Sequence, residues 1–240
     1  MITVIASETG GPLDTVLAEN LAVLRRGAGR RVLLVDTAPE QAARAWARAR
    51  AGAHLRPLPE VLALRGMGFG ERLARLHEGA HDSGHPRHDE IVVAAGACDS
   101  PECRSALVAA QVAIVPIAAR DADPAGHYRL IARLNASRMF NPGLRVLFAA
   151  LGDAGTEEDL TPAGMARIRG YAREVMAGQV APMPLDAEAL RVAGGGTGTC
   201  VCDGDGASTP ALAALDALCA VAFGHPRQRA AAAPAALALR

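Results

Sequence analysis

The sequence contains no lysine: all 25 of its basic residues are arginine. That excludes a lysine Schiff base, a lysine general base and a P-loop lysine reaching a bound phosphate. Long apolar runs are also missing. The stretches 91–97 and 112–119 fall far short of the roughly 20 residues that a spanning helix needs, so no membrane crossing is expected. The first residues lack a basic segment followed by an apolar run and a small-residue cleavage site, which sets the expectation of a cytoplasmic protein. Neither charge sign is in excess, since 25 acidic residues balance the arginines, and nothing in the net charge draws the chain to nucleic acid or to an acidic membrane. The five cysteines are odd in number, which argues against a disulfide framework.

What is present is apolar material in a regular order. Half of the 240 residues are hydrophobic, enough for one substantial domain or two small ones with a large core. β-prone apolar runs alternate with helical patterns, the order of a parallel sheet covered by helices. The clearest unit is a strand at 2–6, a helix at 15–26 with Leu17, Leu21 and Leu24 on one face, and a strand at 32–36. Gly27 and Gly29 are expected to end that helix, and a glycine-bearing loop spans 8–14. Further strands are expected at 90–95, 112–117 and 144–150, with helices at 101–110, 122–139, 162–177 and 210–223. Pro101, Pro162 and Pro210 stand where a first helical turn tolerates proline. The expected division is one α/β domain over 1–224 and an Ala-rich, frayed tail over 225–240.

The loop between the first strand and helix has the position at which backbone N–H groups and a helix N-terminus collect phosphate. It reads Thr9, Gly10, Gly11, Pro12, Leu13, Asp14, Thr15. Here the chain resembles the ParA/MinD family of deviant P-loop ATPases, whose loop reads K-G-G-x-G-K-T. Ala18-Glu-Asn-Leu-Ala22, then Gly29-Arg-Arg-Val-Leu-Leu-Val-Asp36 with Pro39, are similar to the family's A-x-N-L-A and G-x-R-V-L-L-V-D-x-D-P segments. Gly96, Asp99, Ser100, Glu102, the 104–107 stretch, Val115-Pro116 and the 141–146 stretch extend the likeness, which covers about 1–151 and resembles the StbB-type plasmid-stability members. The resemblance implies a doubly wound, mostly parallel α/β sheet flanked by helices, of P-loop NTPase type. It also implies dimers formed over ATP that partition plasmids or chromosomes, or position assemblies such as division and cellulose-export machinery.

The residues that carry the family's chemistry differ. Its signature lysine falls at Thr9 and its phosphate-binding lysine at Asp14. Leu13 stands in place of a glycine, and Pro12 withdraws an N–H from the loop. Thr15, the implied magnesium ligand, is kept, as is Asp36. The second acid of that segment is Ala38, and the Walker B acid before Gly96 is replaced in Ala94-Ala95. Exchanging lysine for aspartate about 4 Å from a phosphate turns an attraction on the order of 4 kcal/mol into a comparable repulsion. The expectation is therefore a pseudo-ATPase with no catalytic residue, no bound cofactor and no metal, acting as an interaction or adaptor module. It would work as a nucleotide-independent dimer, or as a heterodimer with a partition or assembly protein. One alternative is a divergent active ATPase using ATP and Mg²⁺, with an arginine such as Arg104 or Arg120 replacing lysine. Another is a nonspecific DNA-binding partition protein that contacts phosphates through Arg25, Arg26, Arg30, Arg31, Arg167, Arg169 and Arg173.

Other motifs read more plainly. His77, His81, His85 and His88 have helical spacing, but Gly79, Gly84 and Pro86 interrupt it, giving a solvated loop. Cys98, Cys103, Cys200 and Cys202 lack the two-residue gap of metal sites and read as ordinary reduced thiols. The glycine run at 194–199 neither follows a strand nor opens a helix, and reads as a flexible loop. The Asp203-Gly-Asp-Gly206 stretch has Ala214 where a calcium loop needs glutamate.

Overall fold

Period-two burial on both faces explains why the central strands are almost continuously apolar. In β1 (Ile2–Ser7), Ile2, Val4 and Ala6 pack into one hydrophobic cluster while Ile5 packs into the other. The computed structural model describes residues 1–79, 88–152, 160–194, 196–204 and 209–224; the tail at 225–240 lies outside them. Its elements in chain order are β1, α1 (Pro12–Gly27), β2 (Val32–Asp36), α2 (Ala42–Gly52), β3 (Glu60–Ala63), α3 (Phe69–Glu78), β4 (Glu90–Ala97), α4 (Pro101–Ala109) and β5 (Val112–Ala118). There follow α5 (Tyr128–Phe140), β6 (Arg145–Gly152), α6 (Pro162–Arg173), β7 (Gly178–Val180), β8 (Leu185–Asp186), α7 (Ala187–Ala193) and α8 (Pro210–Phe223).

The strands form one sheet in the order β3-β2-β4-β1-β5-β6-β7, with β8 also pairing with β6. Every pairing among them is parallel. One core, on the side of α3, α4, α5 and α6, contains Leu73, Leu107, Leu134 and Ile168. The other, on the side of α1, α2 and α8, contains Leu17, Leu21, Trp46 and Leu215. This is the doubly wound α/β arrangement expected. β1 lies between β4 and β5, so the loop after it opens at the carboxyl edge of the sheet's centre, where this architecture places its ligand crevice.

Several expected boundaries shift. Helix α1 begins at Pro12, so the loop is only Glu8 to Gly11, and Pro12 takes the first helical position, where its missing N–H costs nothing. The same helix runs through Gly27 and is capped by Ala28. The helix expected from 122 starts at Tyr128, after a single 3-10 turn at Ala119–Asp121, and the one expected to reach 177 ends at Arg173. Elements α2, β3, α3, β7, β8 and α7 were not anticipated from the pattern. The glycine run at 194–199 is anchored rather than loose over its described part. The Thr199 carbonyl accepts the Trp46 indole N–H at 3.1 Å, and a Cβ on Gly198 would sit 2.1 Å from the Arg50 backbone nitrogen.

Candidate functional site

The loop after β1 is held against the end of β4. Register between the two strands slips after Ile5, leaving Ala95 bulged out of the pairing, and Gly96 takes φ +64°. Gly10 fits against this bulge with φ +74°; a Cβ there would lie 2.6 Å from the Ala97 nitrogen. Gly11 is extended and exposed, with open space around it. Leu13 turns toward the core on the α1 side and does not line the cleft, so its bulk does not obstruct the loop as expected.

Beneath the loop, Asp14 is almost fully buried and accepts the Ser7 hydroxyl at 2.6 Å; the same hydroxyl oxygen accepts the Gly10 N–H at 3.1 Å. Burial pushes the Asp14 carboxyl up to about 6, against hydrogen bonds from Ser7 and the Gly11 backbone. At neutral pH it is an anion that engages the loop from below.

A cleft of about 540 Å³ opens beside this loop. Thr9, Gly10, Gly11, Pro12 and Thr15 form one wall, Thr37 to Glu40 and Ala42 another, and Ala94 to Ala97, Ser100, Glu102 and Arg65 the rest. The sequence-predicted positions Thr9 to Pro12, Thr15, Ala38, Ala94 and Gly96 are thus brought together, whereas Leu13, Asp14 and Asp36 lie behind the surface. Three helices, α1, α2 and α4, begin at this cleft. Each would offer roughly half a positive charge to an anionic ligand. Each is already served by a carboxylate of the chain itself. Asp14 occupies the first turn of α1. Asp36 accepts the N–H groups of Ala38 and Ala43, both at 2.9 Å, which pins the start of α2. Glu102 lies in the first turn of α4, beside the Ser100 cap, and accepts the Gly66 N–H at 2.9 Å. That bond holds its carboxyl below the usual range, with help from Arg65.

Sequence reasoning gave no role to Arg65, Glu40, Ser7 or Glu19. Arg65 is the one cationic side chain lining the cleft among the described residues. Arg104, by contrast, pairs with Asp99 at 3.7 Å, and neither it nor Arg120 lines the cleft.

Glu19, one helical turn beyond Thr15, is 3% exposed. Burial, reinforced by the charge of Asp36, pushes it up to about 8. Between its ordinary 4.5 and that value the folded chain holds a proton that the unfolded chain has released. Stability therefore falls as pH rises through this window and levels off above it. Glu19→Gln is expected to stabilise the protein by about 3 kcal/mol at pH 7 and by almost nothing at pH 4.5. Thermal melts of both forms across this range check it, with a midpoint gain at pH 7 of roughly 10 °C.

The remaining positions divide. Arg25 is 2% exposed and bonded through its Nε to Glu90 at 2.8 Å, so it is not available to a DNA phosphate as expected. Arg26 is exposed, while Arg30 and Arg31 face Glu90 and Asp89. Arg167, Arg169 and Arg173 are exposed on α6, beside β6 and β7, with three strands, β4, β1 and β5, between β2 and β6. The two clusters thus do not form one surface. His77 meets the N-terminal amine and His88 pairs with Glu60 at 2.9 Å; His81 and His85 lie outside the described residues. None of the five cysteines is in a disulfide, and burial raises the thiols of Cys98 and Cys103 to about 11 and about 12. Among the described residues no helix is long and apolar enough to cross a membrane.

No family model and no curated protein sequence matches the chain. Solved structures do. The MinD protein in a MinC:MinD cell division complex from Aquifex aeolicus aligns with TM-score 0.67 at 15% identity, over 93% of this chain and 96% of that one. Cobyrinic acid a,c-diamide synthase from Mycobacterium smegmatis, with a bound ATP analog and magnesium, aligns with TM-score 0.58 at 17% identity over 97% and 100%. A ParA family ATPase from Chlorobium tepidum aligns with TM-score 0.51 at 14% identity over 90% and 97%. The chain has the fold of these proteins along nearly its whole length.

Proposed function

We propose that the chain is a ParA/MinD-like pseudo-ATPase: a cytoplasmic interaction module in plasmid or chromosome partition, or in positioning a cellular assembly such as cellulose-export machinery. The observation that carries this is the filling of the three helix N-termini around the cleft by Asp14, Asp36 and Glu102. A triphosphate entering there meets carboxylates where it needs cations, and Thr15 has no phosphate-bound magnesium to hold. The StbB-like loop thus serves as a scaffold for contact rather than for hydrolysis. Without nucleotide closing the dimer, association rests on protein surfaces, in a homodimer or with a partner. The MinD relative solved in complex with MinC is a precedent for such a partner.

Calorimetry with MgATP tests the reading. No saturable heat is expected up to about 1 mM nucleotide, equivalent to a binding free energy weaker than about −4 kcal/mol. Micromolar binding, or turnover abolished by Thr15→Ala, overturns it. A second reading, a divergent active ATPase, draws on Arg65 as a cation within the cleft; it predicts binding that Arg65→Ala removes.

A further inference from the structure

A second pocket, of about 350 Å³, lies at the amino ends of β2 and β3, the edge of the sheet opposite the cleft. Two guanidiniums, Arg26 and Arg31, and the His88 imidazole share its wall with one carboxylate, Glu60. Asp89, which is not part of the wall, pairs with Arg31 at 3.3 Å. Arg26 is exposed and has no carboxylate partner among the described residues; its guanidinium donates to the Arg30 carbonyl at 3.2 Å. Arg30 adds a further positive charge at this end, since it stands 3.9 Å from a Glu90 that Arg25 already engages through its Nε at 2.8 Å. The negative end of α1 comes close, but its last carbonyls, those of Leu24, Arg25 and Arg26, accept the N–H groups of Ala28, Gly29 and Arg30.

The one carboxylate on the wall is held from one side only. His88 is 7% exposed and its Nε2–H donates to Glu60 at 2.9 Å, yet the Glu60 side chain is 56% exposed at the start of an edge strand. A buried donor requires an acceptor, but a solvated glutamate on a flexible stem gains little from such a pairing and exchanges readily for another oxyanion. Val32, Leu58 and Pro59 make the rest of the wall apolar. Guanidiniums beside an apolar surface match a ligand with an anionic head and a short hydrocarbon body; a DNA duplex brings the phosphates without the body.

We propose that this pocket binds a small organic oxyanion, a carboxylate or a phosphate monoester with a short apolar body. The head takes the place of Glu60 on His88 and is held by Arg26 and Arg31, and the body lies against Val32, Leu58 and Pro59. The site stands apart from the cleft and does not depend on what the cleft holds.

The test uses the full-length chain, followed by nuclear magnetic resonance of the Val32 and Leu58 methyl groups and the His88 ring. The probes are butyl phosphate, pentanoate, inorganic phosphate, pentanol and a short DNA duplex. Saturable shifts at all three residues are expected with butyl phosphate or pentanoate; either supports the site, and the tighter of the two identifies the head group. Arg26→Gln, at an exposed position, is expected to weaken binding about tenfold. Glu60→Gln removes the competing anion and is expected to tighten binding about threefold, a gain that damage to the fold cannot produce. No saturable shift with either organic anion, or equal affinity for pentanol, overturns the site. Unchanged or weaker binding after Glu60→Gln overturns the exchange on His88. Inorganic phosphate binding as tightly as butyl phosphate overturns the apolar contact, and a duplex that shifts the same methyl groups at lower concentration overturns the small-ligand assignment.

Discussion

Asp14→Lys is expected to tighten MgATP binding at least a hundredfold, from beyond about 1 mM into the tens of micromolar by calorimetry. The expectation follows from where Asp14 sits. Its carboxyl is 3% exposed, lies in the first turn of α1, and is ionised at neutral pH because its pKa, although pushed up, reaches only about 6. An anion there opposes a phosphate with an energy on the order of 4 kcal/mol at about 4 Å separation and an effective dielectric near 20, and a lysine reverses the sign. Asp14→Asn, which removes the anion without adding a cation, should fall between, at about tenfold. The lysine form loses the Ser7 hydrogen bond and is expected to melt earlier without ligand, yet to gain more from MgATP than the parent chain does. If Asp14→Lys binds nucleotide no better than the parent while remaining folded, the electrostatic account of the cleft is wrong.

Arg50→Ala is expected to cost about 3 to 5 kcal/mol, a large share of the roughly 5 to 15 kcal/mol that keeps a domain folded. The guanidinium is fully buried. It donates to both oxygens of Asp203 at 2.5 and 3.0 Å, to the Gly198 carbonyl at 3.0 Å and to the Pro57 carbonyl at 2.9 Å, and it lies 5.6 Å from the Trp46 ring centroid. Truncation strands a nearly buried carboxylate and two carbonyls and leaves a void beside Trp46. Arg50→Lys is expected to recover little, because a single ammonium does not reproduce the forked contact. Urea unfolding measures the effect; a loss below about 1 kcal/mol would mean that water takes over the guanidinium's bonds.

How much of this the sequence announced depended on which side chains faced the core. Strands β1, β2, β4, β5 and β6 were legible because both of their faces are covered, and unbroken runs such as Val32 to Val35 have no other explanation. Helix α2 was not. Its buried residues are Ala43, Trp46 and Arg50, spaced as one helical face, but the last is an arginine, which a hydrophobic pattern counts as surface. Strand β3 is only half-buried at the sheet's edge, and its four residues leave too short a pattern to stand out.

At the cleft, the glycines and the missing lysines and acids were visible by resemblance, and the cleft's walls follow them. The inner carboxylates were hidden for a different reason. Helix α1 is buried around most of its circumference, so Asp14 and Glu19, which read as ordinary polar positions of an amphipathic helix, end in the interior. Only the packing of α2, α7 and α8 against α1 decides that.

The pairing of Arg50 with Asp203 also bears on how the chain is made. The two residues are separated by 153 positions. A nascent polypeptide leaving the ribosome therefore carries the arginine long before its counter-ion is synthesised. The first 152 residues contain the central strands and the loop, yet a shortened gene product ending there would expose the binding face of α2 and leave a desolvated cation without an anion. Completion of the polypeptide is thereby built into the order in which this domain becomes stable.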